Sequence, residues 1–264
     1  MKYVNCEKYA KEILDEVKSK KHDKYFAIIS VGNNPASQAY IKGKIKDCEY
    51  CGIPYAHHHF AEDSPEGIIA RALYDTRFGN VSSVILQLPL PNGHDEKYLT
   101  DIIQPWKDVD GFRQDSKFKP CTPEGIIHVL KKELGDLEGK TALIIGRGKL
   151  VGRPLFDMLL EENCTVTMAH SKTNDLDELL QQGFDIIVSA VGKAKLINLQ
   201  LCNAKIVVDV GVNRDENGKL CGDCYNFDEN GKDMLVTPVP KGIGLMTRAI
   251  LMKHVSETQR EVKK

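Results

Sequence analysis

Apolar positions along the chain recur in two periods, and the switches between them lay out its elements. From about Glu7 to Ser19 they follow helical spacing, and the run from Tyr25 to Val31 is nearly all apolar, as in a buried strand. The turn Gly32-Asn33-Asn34-Pro35 separates that strand from a helix predicted over 36–50, which Gly52 ends as a C′ glycine. A strand over 55–60 comes next, then a helix opened by Ser64-Pro65-Glu66 and running to about Phe78. A strand over 84–88 breaks at Pro89 and Pro91, and Thr122-Pro123-Glu124 opens a helix that ends near Gly135. Beyond Lys140, strands at 141–145, 165–169, 185–190, 205–210 and 235–237 alternate with helices or turns. The last helix is predicted from Met246 to about Val262. Such alternation predicts an α/β fold with mainly parallel sheets in both halves of the chain.

A length of 264 residues suggests two modest domains or one large one. A net charge of -1 gives no electrostatic reason to expect nucleic acid or an anionic membrane as partner. No apolar run approaches a membrane span, and the opening MKYVNCEKYAKEI lacks the apolar region of a signal peptide. A cytoplasmic location is therefore expected, with the 8 cysteines as reduced thiols. Two CxxC pairs, Cys48/Cys51 and Cys221/Cys224, raise the question of zinc. One falls in a predicted helix and the other in a loop of the opposite half, so no metal is expected and buried thiols are the better reading. Of the run His57-His58-His59, only His57 and His59 share a strand face, and a partly solvated strand accounts for them.

The stretch TALIIGRGKLVGRPLFDMLL (141–160) carries the most chemistry. A buried strand runs into Gly146, Gly148 and Gly152, and a helix begins near Pro154, which suits a first-turn position. Glycines let a backbone approach a pyrophosphate, and the N–H groups of a helix's first turn point at it. After the next strand the chain reads His170-Ser171-Lys172, where an NAD site usually places an acid for the ribose 2′-hydroxyl. With that acid missing and Arg147 inside the glycine loop, the cofactor expected is NADP.

In the first half, Tyr40 and Lys44 stand four residues apart on one helix face. Gln87 ends a buried strand, at the carboxyl edge where α/β proteins bind ligands. Lys107-Asp108-Val109-Asp110-Gly111-Phe112 sets two acids in a glycine turn. Turn chemistry alone is an alternative account of the last two stretches.

Taken in order, S-x-x-Y-x-x-x-K (Ser37, Tyr40, Lys44), QLPLP (87–91), KDVDGF (107–112), PCTPEGI (120–126), GRGKLVGRP (146–154) and TPVPKGIG (237–244) span nearly the whole chain. The series resembles the bifunctional methylenetetrahydrofolate dehydrogenase/methenyltetrahydrofolate cyclohydrolase family. The resemblance implies a two-domain α/β fold. Its parts are a catalytic folate-binding domain over 1–120, joined by a C-terminal helix at 245–264 that returns to it, and a Rossmann-like NADP-binding domain over 121–244, the two flanking a cleft. It also implies a homodimer formed through the nucleotide domain. The implied reaction transfers hydride from 5,10-methylenetetrahydrofolate to NADP and then adds water to the methenyl product. Lys44 matches the active-site lysine, Tyr40 the tyrosine that packs on folate, Gln87 the glutamine beside the lysine and Asp110 the pterin-binding aspartate. Leu88 and the loop Pro240, Lys241, Gly242, Ile243 and Gly244 match substrate contacts. Gly146, Arg147, Gly148, His170, Ser171 and Val212 match cofactor contacts. A lysine so placed accepts or relays the proton of the hydrolytic step.

Several positions depart from the family pattern. Lys241 stands for a glycine, Leu245 for a proline and Gly148 for a serine or alanine, while Cys224 replaces a valine as a core residue. Lys241 either obstructs the usual loop path or meets the glutamate tail of folate. A short-chain dehydrogenase also uses Y-x-x-x-K, but there the glycine loop precedes the tyrosine, whereas here Tyr40 and Lys44 come first. A cyclohydrolase without redox activity and a non-catalytic folate- or nucleotide-binding protein remain as rival readings.

Overall fold

The computed structural model describes residues 1–259. In chain order, β1 is Lys2–Tyr3, α1 Cys6–Lys18, β2 Tyr25–Val31, α2 Pro35–Cys51, β3 Tyr55–Phe60, α3 Glu66–Asp75, β4 Val81–Leu86 and α4 Glu96–Ile102. Then follow α5 Cys121–Leu134, β5 Thr141–Ile145, α6 Gly152–Glu161, β6 Thr165–Ala169, α7 Leu176–Gln181 and β7 Phe184–Ser189. Two-residue strands β8 (Ile197–Asn198), β10 (Asn213–Arg214), β11 (Leu220–Cys221), β12 (Cys224–Tyr225) and β13 (Leu235–Val236) surround β9 (Ala204–Asp209), and α8 (Ile243–Thr258) closes the list.

Two compact units result. One comprises Lys11–Cys121 together with the chain from Arg248; the other comprises Met1–Ala10 and Thr122–Thr247. In the first, β2 lies between β3 and β4 in a three-stranded parallel sheet. Ala27, Ile29 and Val31 on β2 pack with Val84 and Leu86 of β4 and with Ile69, Leu73 and Leu99 of α3 and α4. Fully burying each such side chain contributes roughly 1.5–3 kcal/mol, which holds the helices to the sheet. The order β3-β2-β4 reverses direction at β2, so the carboxyl edge beside it is a topological switch point, where open α/β sheets bind ligands. An isolated parallel bridge between Val84 and Asp108 lays the 107–110 segment alongside β4 at that edge.

In the second unit six parallel strands run β1-β13-β9-β7-β5-β6. The chain starts at β5, steps outward to β6 and returns to β7 on the other side, which puts the switch point at the end of β5. Leu143, Ile145, Ile187, Val207 and Val236 share one core cluster on this sheet.

The predicted α/β alternation is observed, with local differences. β4 occupies Val81–Leu86 rather than 84–88: the Gln87 N–H makes the last bond to β2, at the Ile29 carbonyl at 2.8 Å, and Leu88 leads into the cis Leu88–Pro89 peptide. The α3 helix stops at Asp75, and the Thr76–Phe78 stretch reads as turn. The α6 helix starts two residues before Pro154 and α8 starts at Ile243 rather than Met246. The predicted end of that last helix at Val262 lies outside the described residues. The α4 helix went unpredicted although Asp95 caps it, accepting from the Tyr98 N–H at 2.9 Å. Residues 1–10, assigned from sequence to the first domain, instead add β1 to the six-stranded sheet through Lys2 and Val4 N–H bonds to Met234 and Val236 carbonyls, both 2.9 Å.

Candidate functional site

In the first unit the site is built from α2. Asn34 Oδ1 accepts the N–H groups of Ala36 and Ser37, at 2.9 and 3.2 Å, and Pro35 sits in the first turn. Gly52, at φ 69, ends the helix by returning its N–H to Cys48 and Glu49 carbonyls. A helix so fixed at both ends holds Lys44 facing inward, 3% exposed. Its Nζ donates to Gln87 Oε1 at 3.1 Å and stands 3.6 Å from Asp110 Oδ2. Gln87 Nε2 donates to the Leu88 carbonyl at 2.7 Å, which fixes the amide with its oxygen toward the lysine. Residues 44, 87 and 110, singled out separately in the sequence, thus meet as one polar cluster. Tyr40 is half-buried one turn before Lys44; burial raises its hydroxyl pKa, with nearby Arg248 opposing and Asp110 adding to the effect.

Most of the other KDVDGF residues are occupied structurally. Lys107 Nζ donates to the Thr76 carbonyl at 2.8 Å, closing the end of α3, and its pKa is lowered by burial. Asp108 Oδ2 accepts the Arg113 N–H at 2.9 Å, and burial lifts its carboxyl to about 6. Gly111 has φ +72, and a Cβ there would come within 2.6 Å of the Lys119 backbone. Asp110 is the acid whose side chain turns to the lysine. Ser37, the first residue of the motif on α2, is buried with an Oγ that has no hydrogen-bond partner among the described residues, so the site keeps a spare polar group.

Sequence reading missed an ion pair beside this cluster. Arg248 grips Asp47 through Nε at 2.7 Å and Nη2 at 3.2 Å, and its guanidinium lies where a Cβ on Gly43 would be, 2.2 Å away. Burial raises the Asp47 pKa and the arginine opposes that rise. The partners are 201 positions apart, so no local pattern signals them.

In the second unit the glycine loop follows β5 at the switch point. Gly146 has φ +114, and a Cβ there would meet the Ala190 carbonyl oxygen at 2.4 Å; one on Gly152 would meet the Gly146 oxygen at 2.0 Å. A Cβ on Gly148 would meet nothing within 4 Å among the described residues. Two of the three glycines are therefore required by the backbone, and the third leaves open space over the start of α6. Those features fit a dinucleotide pyrophosphate. Arg147 and Ser171 are exposed and His170 half-buried, His170 and Ser171 lying in the turn after β6. His170 Nδ1 accepts the Lys172 N–H at 3.1 Å, which puts the proton of the neutral ring on Nε2. Val212, 51% exposed, follows β9.

Of the loop expected over 240–244, Pro240 follows a cis peptide and Ile243 opens α8. Gly242 is packed so that a Cβ would lie 2.1 Å from the Pro238 oxygen. Lys241 takes φ +76, a left-handed conformation that suits the glycine of the family pattern, and its Nζ lies 3.2 Å from Glu7 Oε1.

The cysteine and histidine motifs resolve into packing. Cys48 and Cys51 are buried on α2, with Cys48 Sγ 3.7 Å from Met252 Sδ, and Cys224 packs against the core of the second unit. Ser30 Oγ bonds both His57 Nε2 at 2.8 Å and His59 Nδ1 at 3.1 Å. Among the described residues no group of three or more His, Cys, Asp or Glu is placed to hold a metal.

Comparison with known proteins bears on both units. The catalytic-domain model of the tetrahydrofolate dehydrogenase/cyclohydrolase family matches residues 4–110, and the NAD(P)-binding-domain model matches 120–263. A bifunctional protein FolD from Agathobacter rectalis is 40% identical over 262 residues, covering 95% of this chain and 93% of that one. The crystal structure of the bifunctional FolD enzyme from Campylobacter jejuni superposes with a TM-score of 0.90 at 37% identity, covering 98% and 99% of the two chains. The Trypanosoma brucei enzyme, solved with NADP cofactor and inhibitor, gives 0.88 at 26% identity over 97% and 96%. Both units carry the family's motifs and match its models along nearly their whole length, and the chain belongs to the tetrahydrofolate dehydrogenase/cyclohydrolase family.

Proposed function

We propose that this chain oxidises 5,10-methylenetetrahydrofolate with NADP and hydrolyses the methenyl product to 10-formyltetrahydrofolate. The observation that carries the reading is the buried cluster in which Lys44 Nζ is held by Gln87 Oε1 and Asp110 Oδ2. A lysine buried beside a carboxylate contributes little to stability, because desolvation offsets the attraction, and this supports a chemical role for the pair. In the hydrolytic step water adds to the methenyl carbon, the bond from that carbon to N5 breaks with one water proton ending on N5, and the other proton is released as the N10-formyl group forms. Lys44 accepts or relays that proton, and Gln87, locked by Leu88, aims the lysine. Asp110 accepts hydrogen bonds from the pterin, Tyr40 packs on the folate, and residues 240–244 contribute further substrate contacts.

NADP, when bound, accepts the hydride. Gly146 and Gly148 let the backbone approach its pyrophosphate, and Val212 lines the cofactor site. Arg147, Ser171 and the His170 Nε2–H gather on the 2′-phosphate, where no acid competes for a ribose hydroxyl. The protein works in the cytoplasm, in one-carbon metabolism that feeds purine synthesis, as a homodimer joined through its nucleotide units.

One assay tests the reading. Methylenetetrahydrofolate and NADP are mixed with the protein while NADPH and methenyltetrahydrofolate are followed together by absorbance. NADPH should form while methenyl compound rises and decays. Hydrolysis of supplied methenyltetrahydrofolate with no NADPH formation would reduce the protein to a cyclohydrolase; binding without turnover would leave only a ligand-binding role.

A further inference from the structure

Resting on the reading of the second unit as the NADP-binding part, we infer that Asp223 is a positioning residue for the nicotinamide half of the cofactor. Its side chain is completely buried, and among the described residues it is in none of the ion pairs. It accepts instead from five donors. Oδ2 takes the Ser189 hydroxyl at 2.8 Å and the Val191 and Gly192 N–H groups at 3.0 and 3.2 Å. Oδ1 takes the Lys193 N–H and the Asn213 amide, both at 2.9 Å. One carboxylate therefore ties together the loop that leaves β7 and the loop that leaves β9. A second buried acid supports it: Asp209 Oδ1 accepts the N–H groups of Gly211 and of Asp223 itself, at 2.9 and 3.0 Å, and Oδ2 accepts that of Cys224 at 2.8 Å.

The glycines around this pair are those the arrangement demands. A Cβ on Gly222 would come within 2.0 Å of Asp209 Oδ2, and one on Gly211 within 2.2 Å of Asp223 Oδ1. The loop leaving β7 also supplies the carbonyl of Ala190, against which Gly146 packs. The clamp thus reaches one flank of the pyrophosphate loop.

Strand order says which part of the ligand that flank serves. The adenosine ribose belongs at the end of β6, on one side of β5, because that strand end carries the 2′-recognition position. A dinucleotide crossing the switch point then extends over the ends of β7 and β9, on the other side of β5. Those are the two loops the carboxylate organises, and Val191 and Val212, 43% and 51% exposed, are the apolar side chains they present. An isosteric amide offers one acceptor oxygen where two were used, and turns an N–H group toward donors that need an acceptor.

The test is Asp223→Asn, compared with wild type for NADP and for 2′,5′-ADP, which carries the adenosine and 2′-phosphate but no nicotinamide. Titration calorimetry should show NADP weakened at least tenfold, while 2′,5′-ADP changes less than twofold. Asn213→Ala, which cuts only the outer tie and keeps the buried carboxylate, serves if the first variant does not fold; it should shift the same ratio in the same direction by about threefold, the size of one modest hydrogen bond. Equal weakening of both ligands, or of neither, in a folded variant overturns the inference. A wild type that binds neither nucleotide would refute the underlying cofactor reading instead.

Discussion

On the proposed reading the chemistry rests on Lys44, and its surroundings say how to test it. Methionine has similar length and no charge, so Lys44→Met removes proton transfer without opening a large cavity. Methenyl hydrolysis should fall to background in a protein that melts near the wild-type temperature, and undiminished hydrolysis would refute the role. Asp108 offers a second residue-level test, through pH. Burial raises its folded-state carboxyl from 3.8 to about 6, so the folded protein holds that proton more tightly than the unfolded chain. Ionised Asp108 therefore lowers stability above about pH 6, and this cost fades as the pH falls from there toward 3.8. Asp108→Asn keeps an oxygen for the Arg113 N–H and abolishes the titration. The variant should gain about 1–3 kcal/mol on wild type near pH 7.5 and lose most of that advantage by about pH 4, as read by urea unfolding. A difference independent of pH would refute the assignment.

Among elements, the turn from β5 into α6 makes the sharpest contrast, because its three glycines are not equivalent. Gly152→Ala drives a methyl group into the Gly146 carbonyl, 2.0 Å away, and should cost about 1–3 kcal/mol or more in thermal or urea unfolding. Gly148→Ser meets open space and should shift stability by no more than about 0.5 kcal/mol. A reversed order would mean that the loop follows another path. On the proposed reading, the ends of β5 and β6 together decide cofactor choice. If Arg147 holds the 2′-phosphate as proposed, Arg147→Ala should weaken NADP binding roughly tenfold to a hundredfold, about 1.5–3 kcal/mol, with NAD little changed. Equal losses for the two nucleotides would place Arg147 on the shared pyrophosphate.

For the whole molecule, the two candidate sites are built by separate sets of residues. The lysine cluster draws only on the unit of Lys11–Cys121, and the glycine loop only on that of Thr122–Thr247. Hydrolysis uses no hydride acceptor, so supplied methenyltetrahydrofolate should be consumed with no nucleotide present. An absolute requirement for NADP in that half-reaction would contradict this division.

How much of this the sequence determines by itself follows from the range of the forces involved. Hydrophobic period, caps and turn glycines act over a few residues, so the long strands and helices, the β5–α6 loop and the helical face shared by Tyr40 and Lys44 are all written locally. The family motifs likewise mark Gln87 and Asp110 without showing that either touches the lysine. Tertiary structure alone decided the rest. The strand β1 has two residues, too few to display a period, and exists because Lys2 and Val4 find partners more than 230 positions away. Arg248 is an ordinary helical arginine until the fold sets it against Asp47 and over Gly43. Asp209 and Asp223 read as turn residues until the sheet closes around them, because burial and hydrogen-bond satisfaction depend on which distant backbone groups surround a carboxylate, and no local pattern encodes that.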